Sequence, residues 1–321
     1  MMKAKEGKYV WLNGKFVDIK KALIPIKCQS VQYGFSGFEG IRFYKTKKGR
    51  AIFRLEDHMK RLEYTMKSLN MKFAFSLNEI RKAIIKTVQK NGFEEGYIRP
   101  WVGYTERKLG LDTNPTKVTI ALFADYWPLY FLGKSLRVMI SPFVRLAPES
   151  FSLHAKIAGH YVNSYLASQE AKSNGFDTAI LLDRYGNVAE APVANIFIVN
   201  EYNEIGTPGD ECILPGITRD TIMKICKDYY TAEIDISIED LWNAKEVFIT
   251  GTAAEIMPIG SIDCFHARLN PSINEHVCWP TGSRTKIVNV KPGPITKKLQ
   301  KLYSQVVHGE ITEYEHWLTY I

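Results

Sequence analysis

The sequence predicts a two-part α/β chain, and three observations carry that prediction. Apolar runs of strand length alternate with stretches of helical period, as in layered α/β architectures. An aromatic, proline-containing segment, 126–135, interrupts the alternation, and a new strand-like run, Leu136 to Ser141, resumes it. The 321 residues are enough for two domains of ordinary size.

Taken in order, Tyr9 to Val17 reads as a β-hairpin because Asn13 and Gly14 separate two short apolar segments. Next, Gly34, Gly37 and Gly40 lie among aromatics. Either the backbone there approaches a ligand or another chain, or the loop is shaped by tight turns. Ala51 to Leu55 continues as a strand, and Glu56 to Met71 is helical, with Met59, Leu62, Met66 and Leu69 on one face. Ser76 and Glu79 form a capping box that opens a second helix, buried through Ile80, Ile84, Ile85 and Val88 and stopped at Asn91 and Gly92. Strands are expected over Gly96 to Tyr104, Lys117 to Ala124, Thr178 to Asp183, Asn195 to Val199 and Glu246 to Thr250. Helices are expected over Tyr161 to Lys172, from Leu214 through Cys226, and from Lys291 to about His308, with an irregular excursion over 262–290.

Composition narrows the function. A hydrophobic content of 45% and a charged content of 24% are those of a globular chain. The net charge of +8 is spread along the sequence without a basic stripe or interleaved aromatics, which argues against nucleic acid and suits an anionic substrate or cofactor. Five scattered cysteines without a CxxC indicate reduced thiols, and His266 and His276 with the nearby cysteines fit no standard metal spacing. With no signal-like or membrane-length apolar run, the expected location is the cytoplasm.

The chemistry concentrates between His154 and Asn200. Lys156 sits among small residues before a helical run, and Glu190 follows a turn at Tyr185 to Asn187. A lysine amine attacks carbonyls once burial or a nearby cation lowers its proton affinity. Pyridoxal phosphate (PLP) needs such a lysine, an acid at its ring nitrogen and a phosphate cup. Alone, such a pair is ordinarily a surface lysine and a turn glutamate. Two small-residue turns add the third element: Leu214 to Thr218 before a helix, where free N–H groups and the helix dipole favour anions, and Gly251 to Glu255 after a strand. Arg61, one turn from His58, is either a solvated helix residue or one that reaches a phosphate. Tyr97 and Arg99, alternating onto one strand face, are either exposed at a sheet edge or paired to suit a carboxylate.

Together these segments resemble the branched-chain amino-acid aminotransferases, class IV aminotransferases of PLP fold type IV. The likeness runs through YGFSGFEGIR (33–42), FRLEDHMKRL (53–62), YIRP (97–100), AKIAGHYVNS (155–164), LLDRYGNVAE (181–190), LPGITR (214–219), EVFITGTAAE (246–255) and KPGPITKKL (291–299). It implies a small N-terminal α/β domain over 1–125, a linker over 126–135, and a larger C-terminal pseudo-barrel domain over 136–321. It also implies a homodimer or higher assembly, with small-molecule amino acids and 2-oxo acids as partners and neither nucleic acid nor membrane. On this resemblance Lys156 is the catalytic residue that carries PLP and shuttles a proton, Glu190 pairs with the ring nitrogen, and Tyr161 bonds the ring hydroxyl. Arg61, Leu214, Gly216, Ile217, Thr218, Gly251 and Thr252 hold the phosphate end. Thr252 and Ala253 offer N–H groups to the substrate carboxylate, while Tyr33, Phe38, Gly40, Arg42, Tyr97, Arg99, Trp127 and Phe131 build the side-chain pocket.

The sequence departs from the family in three places. Ala191 to Asn195 reads APVAN where the family has a GxGEN run, His160 stands where asparagine is common, and 262–290 is long. The first departure is expected to put side chains, and to remove an acid, beside the ring and substrate. It leaves open a class IV transaminase of other specificity, acting on D-amino acids, amines or specialised intermediates. An aminodeoxychorismate lyase-like enzyme and a binding protein without catalysis are further alternatives.

Overall fold

The structure, a computed structural model, describes residues 4–72, 74–114, 117–128, 135–263, 285–287 and 292–321. Phe131, most of the expected linker, Cys264, His266, His276, Cys278 and the bulk of the 262–290 excursion lie outside the described residues. In order, the first elements are β1 Tyr9–Leu12, β2 Lys15–Asp18, α1 Gln29–Tyr33, β3 Ser36–Phe38, β4 Ile41–Thr46, β5 Gly49–Phe53, α2 Leu55–Ser68 and α3 Leu77–Asn91. Then come β6 Gly96–Tyr104, β7 Val118–Asp125, β8 Leu136–Ile140, α4 Tyr161–Ser173, β9 Thr178–Leu182, β10 Val188–Ala191, β11 Ala194–Val199 and β12 Ile205–Thr207. The rest are α5 Ile217–Ile225, β13 Thr231–Glu233, α6 Ile238–Asn243, β14 Glu246–Gly251, β15 Glu255–Asp263, β16 Thr285–Ile287, α7 Pro294–Val307 and β17 Leu318–Tyr320.

One compact unit comprises Met1–Tyr130, His154–His160 and Ser304–Ile321. Its strands run in the order β17-β5-β4-β6-β7-β1-β2, with β3 beside β6, and these pairings are antiparallel. Leu55, Met59, Leu62 and Met66 of α2 and Ile80, Ile84 and Val88 of α3 pack on Ile41, Phe43, Ile98, Ile120 and Leu122 of the sheet. The helical spacing of those side chains is what sets which face is buried. The Ser76–Glu79 capping box is formed as its spacing predicts.

The second unit comprises Phe131–Leu153 and Tyr161–Tyr303. Its strands run β10-β9-β8-β15-β14-β11-β12-β13, with β16 beside β15, and a further β10–β11 pairing closes six of them into a ring. β8 is parallel to β9 and β15, so the barrel is mixed. Val138, Ile180, Ile196, Ile198, Ile249, Met257 and Ile259 form its main cluster with Leu241 of α6. α4 packs on the ring through Ala167 and Ala171 against Met139, Ala179 and Leu181, small residues that admit a close approach. Among the described residues no helix is long and apolar enough to cross a membrane.

The fold differs from expectation at several element ends. β5 stops at Phe53 because Arg54 is left-handed (φ 51°), and α2 ends at Ser68, with Asn70 also left-handed (φ 52°). Glu190 lies within a four-residue strand of its own, in a hairpin with β11, rather than leading into one.

Candidate active site

In the first unit, Lys156 lies on the segment that returns against β3 and α2. Its N–H donates to Thr65 Oγ1 (2.8 Å), its carbonyl accepts from Phe38 N–H (3.1 Å), and Ile157 bridges to Gly37. The backbone that carries the amine is thus fixed on both sides. Lys156 Nζ lies 5.1 Å from the centre of the Phe38 ring, and the Arg99 guanidinium lies 4.5 Å from the same centre.

Around that ring the strand residues converge. Arg99 Nη2 donates to the Tyr97 hydroxyl (3.4 Å), the Tyr97 and Trp127 rings lie 5.7 Å apart, and Arg42 Nη1 donates to the Trp127 carbonyl (3.3 Å). A Cβ at Gly40 would lie 1.7 Å from the Tyr97 hydroxyl oxygen and so displace that ring. Phe38, Gly40, Arg42, Tyr97, Arg99 and Trp127 are therefore brought together. Tyr33 is not part of this group: it is exposed, leans on Phe35 at 5.5 Å and accepts from Gly110 N–H (3.3 Å).

Arg61 is held by a residue that sequence reasoning missed. Its Nε and Nη2 donate to the two oxygens of Glu39 (2.6 and 2.9 Å), and His58 Nδ1 lies 2.7 Å from Glu39 Oε2. Burial works to raise the Glu39 carboxyl, but Arg61 and His58 outweigh it and hold it well below the usual carboxylate range. Burial pushes the His58 imidazolium down, only partly offset by Glu39, so the ring is neutral and Nδ1 carries its proton toward the carboxylate.

In the second unit, Glu190 is buried on β10. Arg145 Nε donates to Oε1 (2.6 Å), and Asn195 Nδ2 (3.1 Å) and Leu214 N–H (3.3 Å) donate to Oε2. Asn195 Nδ2 also donates to the Leu214 carbonyl (2.9 Å), tying the acid to the start of α5. A Cβ at Gly216 would lie 1.9 Å from Asn195 Oδ1 and so displace the amide that holds Glu190. Gly216 caps α5 with no side-chain bond, so the first-turn N–H groups, including those of Ile217 and Thr218, carry no side-chain cap. Arg219 is a framework residue, since its guanidinium reaches Thr207, the Pro208 carbonyl and Glu233. Tyr161 is the first residue of α4. Thr252 and Ala253 follow β14 in the turn before β15.

Ala191 and Ala194 do not face Glu190. Both belong to the apolar cluster with Val188, Ile196 and Ile249, and Val193 is 73% exposed at the hairpin turn. Strand alternation sends the two alanine side chains to the face opposite Glu190 and Asn195.

The donors fit PLP. A held carboxylate suits a ring nitrogen, and an uncapped helix start suits a phosphate. Arg145 Nη1 and Thr250 Oγ1 are buried polar atoms with no hydrogen-bond partner among the described residues. Arg145, Glu39, His58 and Asn195 are the residues sequence reasoning missed. Glu39 was within reach of it, as the only acid in the glycine-rich run 33–42.

The family model for amino-transferase class IV matches residues 36–262. The branched-chain-amino-acid aminotransferase of Pseudomonas aeruginosa is 35% identical over 318 residues, covering 97% of each chain. A branched-chain aminotransferase from Thermoproteus uzoniensis, solved with norvaline, superposes with a TM-score of 0.86 at 33% identity, covering 98% of this chain and 99% of the other. A branched-chain amino acid aminotransferase from Thermobaculum terrenum, solved in its PLP form, gives 0.85 at 30% identity, covering 98% of each chain.

Proposed function

Because the chain belongs to the class IV aminotransferase family, we propose that it transfers the amino group between L-leucine, L-isoleucine or L-valine and 2-oxoglutarate, with PLP as cofactor. One observation carries the substrate reading. The Phe38 ring is flanked by the Lys156 amine and the Arg99 guanidinium. An apolar wall accepts the branched side chain, and an arginine beside it accepts the distal carboxylate of glutamate, so one pocket serves both half-reactions.

When bound, PLP supplies the electron sink for breaking a bond at the substrate Cα. Lys156 is the residue that holds the cofactor covalently and, once released, moves the proton to and from the substrate Cα. Its backbone is fixed on both sides, which anchors the point from which the amine reaches. Glu190, held by Arg145 and Asn195, keeps a proton at the ring nitrogen. Tyr161 donates to the ring hydroxyl oxygen. Arg61 and the N–H groups of Ile217, Thr218 and Thr252 bind the phosphate, Leu214, Gly216 and Gly251 shape the turns that present them, and Ala253 with Thr252 orients the substrate carboxylate. A homodimer belongs to the same reading, supported by the exposed apolar Leu23, Ile26, Tyr33 and Leu111 of the first unit. Light scattering on the purified protein tests it.

The activity is tested by visible absorption. A cofactor band should bleach with L-leucine and with L-glutamate, return with 2-oxoglutarate, and ignore D-alanine. A band insensitive to L-leucine refutes the substrate assignment. Lys156→Ala should lose the borohydride-reducible link to PLP. Arg99→Ala should slow the glutamate half-reaction about tenfold to a hundredfold more than the leucine one, the cost of one charge-assisted contact. Equal losses would mean that Arg99 does not read the distal carboxylate.

A further inference from the structure

The first unit buries a carboxylate that none of the roles above uses. Glu39 is 0% exposed, and its own N–H donates to the Pro100 carbonyl (2.8 Å), which ties its backbone to β6. Its oxygens then receive Arg61 twice and His58 once, and Gly40 N–H lies 3.2 Å from Oε2. His58 and Arg61 stand one turn apart on α2. The constraint therefore runs from the sheet through one side chain to two residues of the helix.

We propose that Glu39 is the positioning residue of the phosphate site: it grips Arg61 by one edge of the guanidinium and so presents the opposite edge to an anion. The inference rests on the reading of Arg61 as a phosphate ligand. A guanidinium is planar with five N–H groups in fixed directions, so a fork through Nε and Nη2 determines where the remaining donors point. Arginine has high rotamer entropy, and a buried fork removes most of it before the ligand arrives. His58, anchored on Oε2, keeps the carboxylate from turning away.

The alternative is that Glu39 merely neutralises Arg61, and the two roles predict opposite signs. A carboxylate near a phosphate site repels the phosphate, so removing its charge would tighten binding if neutralisation were its whole role. Glu39→Gln keeps the shape but puts an amide NH2 where an acceptor stood. At either position it breaks one arm of the fork, and at the Oε2 position it also turns His58 to its other tautomer. Positioning then predicts weaker binding.

The test uses the full-length apoenzyme and measures dissociation constants for PLP and for pyridoxal, which lacks the phosphate, with inorganic phosphate as competitor. Glu39→Gln should weaken PLP about tenfold or more while leaving pyridoxal nearly unchanged. It should also move the 31P resonance of bound PLP. Against an Arg61→Ala background the same change should have no further effect, because Glu39 acts through Arg61. Tighter PLP binding, equal losses for PLP and pyridoxal, or additive losses in the double variant would overturn the proposal. Arg61→Ala separates the two levels. If it leaves the PLP-to-pyridoxal ratio unchanged, the phosphate reading of Arg61 fails and takes the proposal with it. If it changes the ratio and Glu39→Gln does not, only the proposal fails. Should Glu39→Gln not fold, His58→Asn keeps the fork and removes one anchor. A smaller loss confined to PLP then supports positioning, and an unchanged ratio refutes it.

Discussion

Glu39 and Glu190 are both buried carboxylates met by an arginine and a second polar side chain, yet their arginines reach them differently. Arg61 forks onto Glu39 through two nitrogens, whereas Arg145 gives Nε to Glu190 and leaves Nη1 without an acceptor among the described residues. Removing one member of a buried ion pair strands the other charge. Arg145→Met is therefore expected to destabilise the protein by about 3–5 kcal/mol, read as a fall in the urea midpoint. Adding Glu190→Gln should recover a good part of that loss, and failure to do so would mean that Arg145 stabilises through other contacts. At this scale the sequence was half legible. Lys156, Glu190 and Arg61 stood in readable motifs, but Arg145 lies in an irregular stretch with no period, 45 residues from its partner. The pairing of β9 with both β8 and β10, and the bond from Arg145 N–H to the Leu182 carbonyl at the end of β9, bring them together. The run Ala191 to Ala194 is the reverse case. It stood out in the sequence, and the pleat turns its alanines into the apolar cluster.

Helix α7 shows what one side chain can do for an element. Glu246, on β14, accepts from Ile295 N–H (3.0 Å), Thr296 N–H (2.7 Å) and Thr296 Oγ1 (2.7 Å), all at the helix start. A carboxylate there satisfies two otherwise orphaned donors and meets the positive end of the dipole. Glu246→Ala should cost about 2–4 kcal/mol in thermal or urea unfolding, with Glu246→Gln losing less because one acceptor remains. Equal losses would show that the helix start needs both carboxylate oxygens and their charge, so that a single remaining acceptor preserves nothing. Local signals made α2, α3 and the long strands readable, because each carries a period over ten or so residues or a capping box. The strands β3, β10, β12 and β17 are three or four residues long. Too short to show alternation, they exist because a neighbouring strand supplies their hydrogen bonds. β15 was hidden differently: it begins at Glu255 in a left-handed conformation (φ 56°), inside what reads as a turn.

Over the whole molecule, the sequence order and the packing order disagree at the C-terminus. Residues Ser304–Ile321 belong to the first unit: β17 pairs with β5, Arg54 lies 4.8 Å from the centre of the Trp317 ring, and Arg54 N–H donates to the Trp317 carbonyl (2.7 Å). Trp317→Ala, which removes the stacked Tyr314 contact and the cation–π contact together, should cost about 2 kcal/mol. The buried pair of His58 and Glu39 in the first unit contributes to the response of the chain to acid. The His58 pKa is depressed below its ordinary 6.5, so as pH falls the unfolded chain binds that proton before the folded one does. Stability must then decline as pH drops through about 6.5, by at most about 1.4 kcal/mol per pH unit for one proton. Glu39 is depressed too, and its contribution is complete above the ordinary 4.5 and is lost as pH falls below it. The expected profile is a plateau above neutrality, a shallow fall between about pH 7 and 5, and a steeper one below about 4.5. Urea midpoints across that range measure it, and His58→Asn should flatten the shallow segment while leaving the steep one. If the variant keeps the wild-type slope between pH 7 and 5, the titrating group is not His58.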